Sequence, residues 1–227
     1  GDNWSVTIVD EFPYAPFTKK LTVDTPFTND GTVDVIIDNN DQVHVFWGLG
    51  RVFDNDTSDE SFFFFPAQAG IVHWTESNPN NAAVVATIPD EDLSGTLDIE
   101  PGTFAALQDG NIPQNVAGVA RTGNTSLVTM PAASVDANAN IYLVYSAPRE
   151  RDLNIDQLNY RDVFVVVSTD GGATWSEPQN LTQAQGMEDA FPTVAKTADN
   201  FLHIVWQQDE IPGTNLQNNS ANLNNHP

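Results

Sequence analysis

The chain has 227 residues, of which 40% are hydrophobic and 10% aromatic, enough for a buried core and unlike a disordered protein. Its 31 acidic and 8 basic residues give a formal net charge of −23, which argues against nucleic acid and anionic membranes as partners because both bind basic surfaces. The absence of cysteine excludes disulfides and thiol chemistry, and no apolar run reaches membrane-spanning length.

The first recurring element along the chain is a β-hairpin with an Asx-rich turn. Each copy has a polar turn followed by an apolar stretch, in which a His or Tyr stands three residues before a closing Trp or Tyr. A short strand precedes each turn. Asn and Asp favour such turns because they tolerate left-handed backbone and cap their own turn. The three gap-free copies are residues 38–47, 136–145 and 197–206.

A second hairpin follows two of these copies. After the first copy, an apolar stretch at 71–74 leads through a polar turn to another at 82–88. After the second copy, residues 163–167 lead through the turn 168–175 to a strand that starts at Pro178. Two hairpins give four antiparallel strands, which is the content of one β-propeller blade. We therefore expect an all-β fold, a β-propeller with four-stranded antiparallel blades.

The sequence accounts for about two complete blades and two partial ones. Residues 193–206 have the pattern of the first half of a third blade, and residues 6–9 that of the last strand of a preceding blade. Since closed propellers have about four to eight blades, we expect residues 1–227 to be a single propeller segment of a longer chain, with the remaining blades as partners. The alternative is that residues 6–9 complete the last blade and close a small ring.

The turn at residues 168–175 carries a recognisable motif. Its sequence, Ser-Thr-Asp-Gly-Gly-Ala-Thr-Trp, resembles at every fixed position the Asp-box, S-x-D-x-G-x-T-W, of sialidase-like (BNR-repeat) propellers. The opening Gly-Asp-Asn-Trp resembles the end of a second copy. In that family the Asp-box is structural and lies away from the catalytic centre, so the resemblance implies a structural role. The fixed residues are Ser168, Asp170, Gly172, Thr174 and Trp175.

The chemistry of these residues agrees with a structural role. Gly171 and Gly172 permit the positive φ angles of a tight turn. The Asp170 carboxylate can accept backbone N–H groups within the turn. The Trp175 indole can pack between blade strands.

Blade topology separates short turns from long connections. One side of the predicted blades carries the short turns, at 38–41, 136–140 and 168–175. The opposite side carries the long connections, at 48–70, 146–162 and 89–125. Binding usually resides on such insertions. Guanidinium groups bind carboxylates, so arginines here could hold an acidic sugar, or they could balance the surrounding acids. The arginines on this long-loop face are Arg51, Arg121, Arg149 and Arg151.

Three functions follow from this arrangement. We favour an exported or cell-surface module, of bacterial type, that binds glycan or protein through the long-loop face. The first alternative is a sialidase-type glycoside hydrolase completed by further blades. That activity needs three arginines, an Asp, a Tyr–Glu pair and an Arg-Ile-Pro motif. No Arg-Ile-Pro occurs, and residues 160–162, Tyr-Arg-Asp, are the nearest fragment. The second alternative is a structural or cargo segment of a surface or secretion assembly.

A calcium site is the only cofactor that the sequence suggests. Asp54, Asp56, Asp59 and Glu60 place hard oxygen ligands at short spacing in the 48–70 connection, although ordinary loop chemistry explains them as well. The histidines give no metal site. His44 and His203 recur at one repeat position beside a closing Trp, which indicates packing within a blade.

Overall fold

The computed structural model describes residues 4–14, 26–54, 62–99, 102–105, 122–123 and 125–214. The fold of this part is all-β, as expected, with thirteen strands and no helix among the described residues. Accordingly, no helix in the described part could cross a membrane.

The first sheet is a four-stranded antiparallel meander in the order β1-β2-β3-β4. Its strands are β1 (Phe27–Ile37), β2 (Val43–Phe53), β3 (Phe63–Thr75) and β4 (Ala83–Ala86). The Asx turn between β1 and β2 forms as predicted, because Asp38 Oδ1 accepts the main-chain N–H groups of Asn40 at 2.8 Å and Gln42 at 2.9 Å. A separate two-stranded hairpin, β5 (Thr96–Ile99) and β6 (Gly102–Ala105), follows the first sheet.

The second sheet repeats the meander of the first. Its strands are β7 (Thr129–Asp136), β8 (Ile141–Leu153), β9 (Asn159–Ser168) and β10 (Gln179–Asn180). The third sheet consists of β11 (Glu188–Val194) and β13 (Ile204–Asp209). Between them, β12 (Thr197–Ala198) pairs in parallel with β7 and so ties the third sheet to the edge of the second.

Two expected connections are largely strand, which corrects the prediction of long loops at 48–70 and 146–162. Pairing of β2 with β3 continues to Phe53 opposite Phe63. Pairing of β8 with β9 continues to Leu153 opposite Asn159. The second hairpin extends this far because Asn154 Oδ1 closes its turn by accepting the N–H of Leu158. In the 89–125 connection, β5 and β6 form a hairpin, and much of the remainder lies outside the described residues.

Residues 6–9, which were expected to form a strand, are not part of any sheet. Their alternating pattern finds no hydrogen-bonding partner among the described strands, and a strand is stable only when it is paired. Val6 is 88% exposed, whereas Val9 packs against the first sheet at Trp47.

The three sheets pack face to face, with the second sheet in the middle. Phe46 and Ile71 of the first sheet share one core with Leu143 and Phe164 of the second. The opposite face of the second sheet packs against the third through residues on β8, β9 and β13 and just before β13, namely Val144, Val163, Val165, Ile204 and Leu202. The second sheet is thus buried on both faces, which brings the ends of β8, β9 and β11 together.

Candidate functional site

The predicted ligand-binding arginines have separate sets of partners. Arg51 lies on β2, with its guanidinium carbon 3.9 Å from the centre of the Phe27 ring. Arg149 and Arg151 lie on β8. Arg121 lies outside the described residues.

Arg151 is occupied by two carboxylates. It forms an ion pair with Asp92 and donates to Asp98 Oδ2, at 2.8 Å from Nε and 2.6 Å from Nη2. Hydrogen bonds with Asp98 and then Asp92 raise the pKa of Arg151, and Arg151 lowers the pKa of Asp92 to about 2. The side chain is 58% exposed. These bonds neutralise the positive charge of Arg151, which an acidic sugar would need for binding.

Arg149 stands among three carboxylates. Its Nη1 lies 3.5 Å from Asp162 Oδ2 and 3.7 Å from Asp152 Oδ2, and its Nε lies 3.7 Å from Glu91 Oε2. Nη1 is buried and makes no hydrogen bond within the described part of the chain. Three carboxylates around one guanidinium leave a net negative charge, so the site repels an acidic ligand.

Asp162 and Glu91 are bridged by one amide. Asn180 Nδ2 donates to Asp162 Oδ2 at 2.5 Å and to Glu91 Oε1 at 3.3 Å. Asp162 is 1% exposed, and burial raises its pKa against the hydrogen bonds from Asn180 and Thr182 and the charge of Arg149. We call five residues the Glu91–Arg149 cluster: Glu91, Arg149, Asp152, Asp162 and Asn180.

The cluster borders a groove between the segment that follows β4 and the second sheet. The groove has a volume of about 600 Å³. Its polar wall includes Asp90, Glu91 and Asn180, and its apolar wall includes Leu93 and Pro178. Leu93 is 86% exposed, so the groove combines fixed hydrogen-bonding groups with an accessible apolar contact.

Arg161 lies in a different, closed environment. It is fully buried, and its Nη1 donates to the carbonyl of Leu127 at 2.8 Å, while its Nε lies 3.5 Å from Glu188 Oε1. Burial raises the pKa of Glu188 to about 7, although Arg161 and the main-chain N–H groups of Gly213 and Arg161 favour the ionised form. The Tyr-Arg-Asp fragment at 160–162 therefore contributes no accessible arginine to the groove.

The turn at residues 168–175, whose sequence resembles an Asp-box, forms a compact set of internal hydrogen bonds. Asp170 accepts from the N–H of Thr174 at 2.9 Å, from its hydroxyl at 2.6 Å, and from Ser168 Oγ at 2.8 Å. These bonds, Thr174 first, lower the pKa of Asp170 to about 2. Gly172 donates its N–H to Ser168 Oγ and accepts the Trp175 indole N–H. This geometry supports a structural role.

The predicted calcium ligands lie mostly outside the described residues. Asp54 directly follows β2 and is buried. Asp56, Asp59 and Glu60 lie outside the described residues. Elsewhere, Asp90, Asp92 and Glu150 have oxygens within 4.8 Å of one another. Arg151 already binds Asp92, and Glu150 accepts the N–H groups of Glu91 and Asp98 at 2.7 Å. The ion pair and these hydrogen bonds explain why the three carboxylates lie close together, without the need for a metal ion.

Four residues of the cluster were not predicted as site residues from the sequence: Glu91, Asp152, Asp162 and Asn180. They come from separate segments of the chain, and the local signals near them were the Arg-Glu-Arg-Asp stretch at 149–152 and the Tyr-Arg-Asp fragment at 160–162. Arg149 was identified for its charge, but not for its carboxylate partners.

Comparisons with known proteins add little to this geometry. No family model matches the sequence, and no curated protein matches it. Among solved structures, the chain is similar to a protein of unknown function from Dyadobacter fermentans DSM 18053. The TM-score is 0.30 and the sequence identity 12%, covering 72% of this chain and 57% of that one. The chain thus spans little more than half the length of that protein. A similarity this weak defines neither a fold family nor a function.

Proposed function

We propose that the chain is a β-propeller module of sialidase-like type that binds a neutral, hydroxyl-rich glycan in the groove beside the Glu91–Arg149 cluster. Two four-stranded antiparallel meanders packed face to face support the propeller arrangement. The Asp-box turn of the second sheet also supports it, since Trp175 packs edge-on against Phe46 of the first sheet.

The observation that carries the glycan proposal is the bridge from Glu91 through Asn180 to Asp162. It holds a carboxylate and an amide in fixed positions on the groove wall. The two hydrogens of Asn180 Nδ2 are used by Asp162 and Glu91, so Asn180 positions the Glu91 carboxylate, whose oxygens can accept hydrogen bonds from sugar hydroxyls. Leu93 and Pro178 provide apolar contact for the carbon face of a ring.

The charge balance favours a neutral glycan over an acidic one. Arg149 is outnumbered by Glu91, Asp152 and Asp162, and Arg151 is held by two carboxylates. A sialic or uronic acid would add a further negative charge to this surface. The arginines therefore act in the proposal as balancing charges, not as ligands for a sugar carboxylate.

Binding is favoured over hydrolysis. Retaining and inverting glycosidases need two carboxyl groups that reach the scissile bond. Asp162 has the raised pKa of a general acid, but it is 1% exposed and is covered by its bonds to Asn180 and Thr182. Export to the cell surface and a protein ligand stay predictions from the sequence.

A glycan array that contains matched neutral and sialylated or uronylated oligosaccharides tests the proposal. We expect neutral glycans to bind, and calorimetry to show that Glu91→Ala weakens the best of them by about tenfold or more, the effect of losing a charged hydrogen bond. Two controls should stay near wild type: Asp199→Ala, which removes an exposed carboxylate, and Arg151→Ala. A preference for acidic glycans, or unchanged affinity in Glu91→Ala, would contradict the proposal.

A further inference from the structure

Another cavity lies between the first sheet and the turn at residues 168–175. Its volume is about 630 Å³. One wall comes from the end of β3, the turn that follows it and β4, and the other wall comes from residues 170–178. His73 of β3 lines this cavity, although the residue is only 4% exposed. We call the cavity the His73 pocket.

The ring of His73 is held in place from two sheets. It stacks on Phe46 of the first sheet, with ring centroids 4.8 Å apart, and meets the ring of Trp175 edge-on at 5.4 Å. Gly172 leaves room for the edge of the imidazole, since a Cβ at that position would lie 2.3 Å from His73 Cε1. The orientation of the ring is therefore fixed by packing, and its two nitrogens have distinct surroundings.

The neighbours of His73 determine which of its nitrogens carries the proton. His73 Nε2 lies 2.9 Å from His44 Nδ1, and His44 Nε2 lies 3.6 Å from Asp38 Oδ2. The second distance is long for a hydrogen bond, but a carboxylate this close attracts the proton of His44 to Nε2. His44 Nδ1 then accepts and His73 Nε2 donates, so the lone pair of His73 is on Nδ1.

His73 Nδ1 is thus an acceptor on a buried ring. Within the described part of the chain, no group donates a hydrogen bond to it. Burial, and then the charge on His44, lower the pKa of His73 to about 4, so Nδ1 stays an acceptor at neutral pH. Since buried polar atoms are normally hydrogen-bonded, this nitrogen calls for a donor in the pocket, either water or a ligand.

The charges on the pocket wall favour a donor that is cationic. Asp170 and Glu177 both line the pocket. Asp170 is ionised, because hydrogen bonds from Thr174 first, and then Ser168, lower its pKa to about 2. Among the described residues that line the pocket there is no lysine or arginine. A protonated amine combines N–H donors with a positive charge, and so matches both the acceptor and the carboxylates.

We propose that the His73 pocket binds a protonated primary amine, with an ammonium N–H donated to His73 Nδ1 and the positive charge balanced by Asp170 and Glu177. In this role Asp38 and His44 are positioning residues, because they set the tautomer of His73 without reaching the amine. The same ammonium group can belong to a free aliphatic amine or to a lysine side chain of another protein.

This inference does not depend on the glycan proposal. The His73 pocket and the groove beside the Glu91–Arg149 cluster are neighbours that share Thr87, Glu177 and Pro178. His73 lines the pocket and Glu91 lines the groove. Glu91→Ala should therefore leave amine binding near wild type, and His73→Phe should leave glycan binding near wild type, so the failure of one proposal is distinguishable from the failure of the other.

NMR of protein labelled with nitrogen-15 in its histidines tests the proposal at neutral pH and low salt. Titration with diaminobutane should shift the Nδ1 resonance of His73, whereas butanediol, a neutral molecule of similar length, should not. His73→Phe keeps an aromatic ring but removes the acceptor, and should weaken diaminobutane binding by about tenfold or more. The control His203→Phe makes the same change at a side chain that is 66% exposed, and should bind like the wild type.

A variant outside the pocket tests the assigned tautomer. In Asp38→Asn, the amide oxygen can keep the two main-chain N–H bonds that Oδ1 accepts, so the amide nitrogen faces His44 Nε2 and donates to it. His44 Nδ1 then donates to His73 Nε2, and the proton of His73 moves to Nδ1, which can no longer accept. Asp38→Asn should therefore weaken amine binding about as much as His73→Phe. Asp136→Asn, the same change in the equivalent turn of the second sheet, is the control.

One further probe identifies the source of the amine. Nα-acetyl-lysinamide carries the ammonium group of a lysine side chain. Binding as strong as that of diaminobutane would assign the pocket to a lysine of a protein partner, and binding of diaminobutane alone would assign it to a free amine. Three outcomes would overturn the proposal: an unmoved His73 resonance in the wild type, equal binding of butanediol, or unchanged affinity in Asp38→Asn. The first two need no variant, so they decide the question even if a variant fails to fold.

Discussion

His44 Nδ1 lies 2.9 Å from His73 Nε2, so the two buried imidazoles share a hydrogen bond that holds one proton between them. His44 Nε2 lies 3.6 Å from Asp38 Oδ2, and the ring of His73 packs against Trp175 of the neighbouring sheet. The predicted packing role is confirmed for His44, which is 1% exposed, and is wrong for His203, whose side chain is 66% exposed. The pairing of His44 with His73 was not predicted. The pair links the first Asx turn to the turn at residues 168–175.

Acid should destabilise the protein through this pair. Burial, and then the charge on His44, lower the pKa of His73 to about 4, whereas an unfolded histidine titrates near 6.5. Between those values the unfolded chain binds a proton that the folded chain does not, so stability falls as the pH falls, by up to about 3 kcal/mol. Urea unfolding between neutral and acidic pH should show this loss. His73→Phe should reduce the slope, and an unchanged slope would contradict the assignment.

Glu188 should act in the opposite direction. Burial raises its pKa to about 7, above the ordinary value of 4.5. The folded protein therefore holds a proton that the unfolded chain releases, and this stabilisation is complete below pH 4.5 and is lost as the pH rises through about 7. The free energy of unfolding of Glu188→Gln, measured relative to that of the wild type, should therefore increase as the pH rises from acidic to neutral. The exposed Glu177→Gln is the control and should follow the wild type at every pH. If Glu188→Gln also follows the wild type in parallel, the prediction is wrong.

The two glycines of the turn at residues 168–175 offer a matched pair of substitutions. Gly171 and Gly172 have φ angles of +72° and +87°. A Cβ at Gly171 meets open space, whereas one at Gly172 would lie 2.3 Å from His73 Cε1. We expect Gly171→Ala to cost about 1 kcal/mol, from the backbone alone. Gly172→Ala should cost about 2–4 kcal/mol, because overpacking is added. Chemical denaturation measures both. Equal losses would show that His73 moves away without penalty.

The calcium interpretation of residues 54–60 makes a separate prediction. If Asp54 and its neighbours bind calcium, added calcium should raise the melting temperature relative to a chelator, because a ligand that binds only the folded state stabilises it. Asp54→Asn should remove that increase, and Asp199→Asn should retain it. Identical melting curves for the wild type in calcium and in chelator would contradict the interpretation.

The hairpins were predictable because their signals are local. Asp38 and Asp136 each begin a turn of Asx residues between apolar stretches, and each accepts N–H groups two and four residues ahead. Strand length was less predictable. Residues 149–152 have the polar composition of a loop, and the pairing of β8 with β9 shifts register there before it resumes at Leu153 opposite Asn159. Nothing in the sequence indicated that the strand pair would resume beyond this irregularity, because the pairing partner lies on another segment.

The candidate site was predictable only in outline. The sequence identified Arg149 and the side of the sheets on which it lies. It could not indicate that Glu91 and Asn180, 89 residues apart, would share a hydrogen bond, because that contact depends on how two sheets pack. Nor could the alternating pattern of residues 6–9 reveal the lack of a partner among the described strands.

Carboxylates of β1 fasten the first sheet to the second. Asp30 Oδ2 accepts the hydroxyl of Thr129 at 2.7 Å and the N–H of Ser126 at 3.0 Å, and Asp34 Oδ2 accepts the N–H of Ala133 at 2.7 Å. Directional bonds of this kind resist sliding of one sheet over the other, which apolar contact alone would permit. The first and second sheets are therefore held in one relative position along β1 and β7, and a ligand that contacts both sheets gives up little affinity to ordering them.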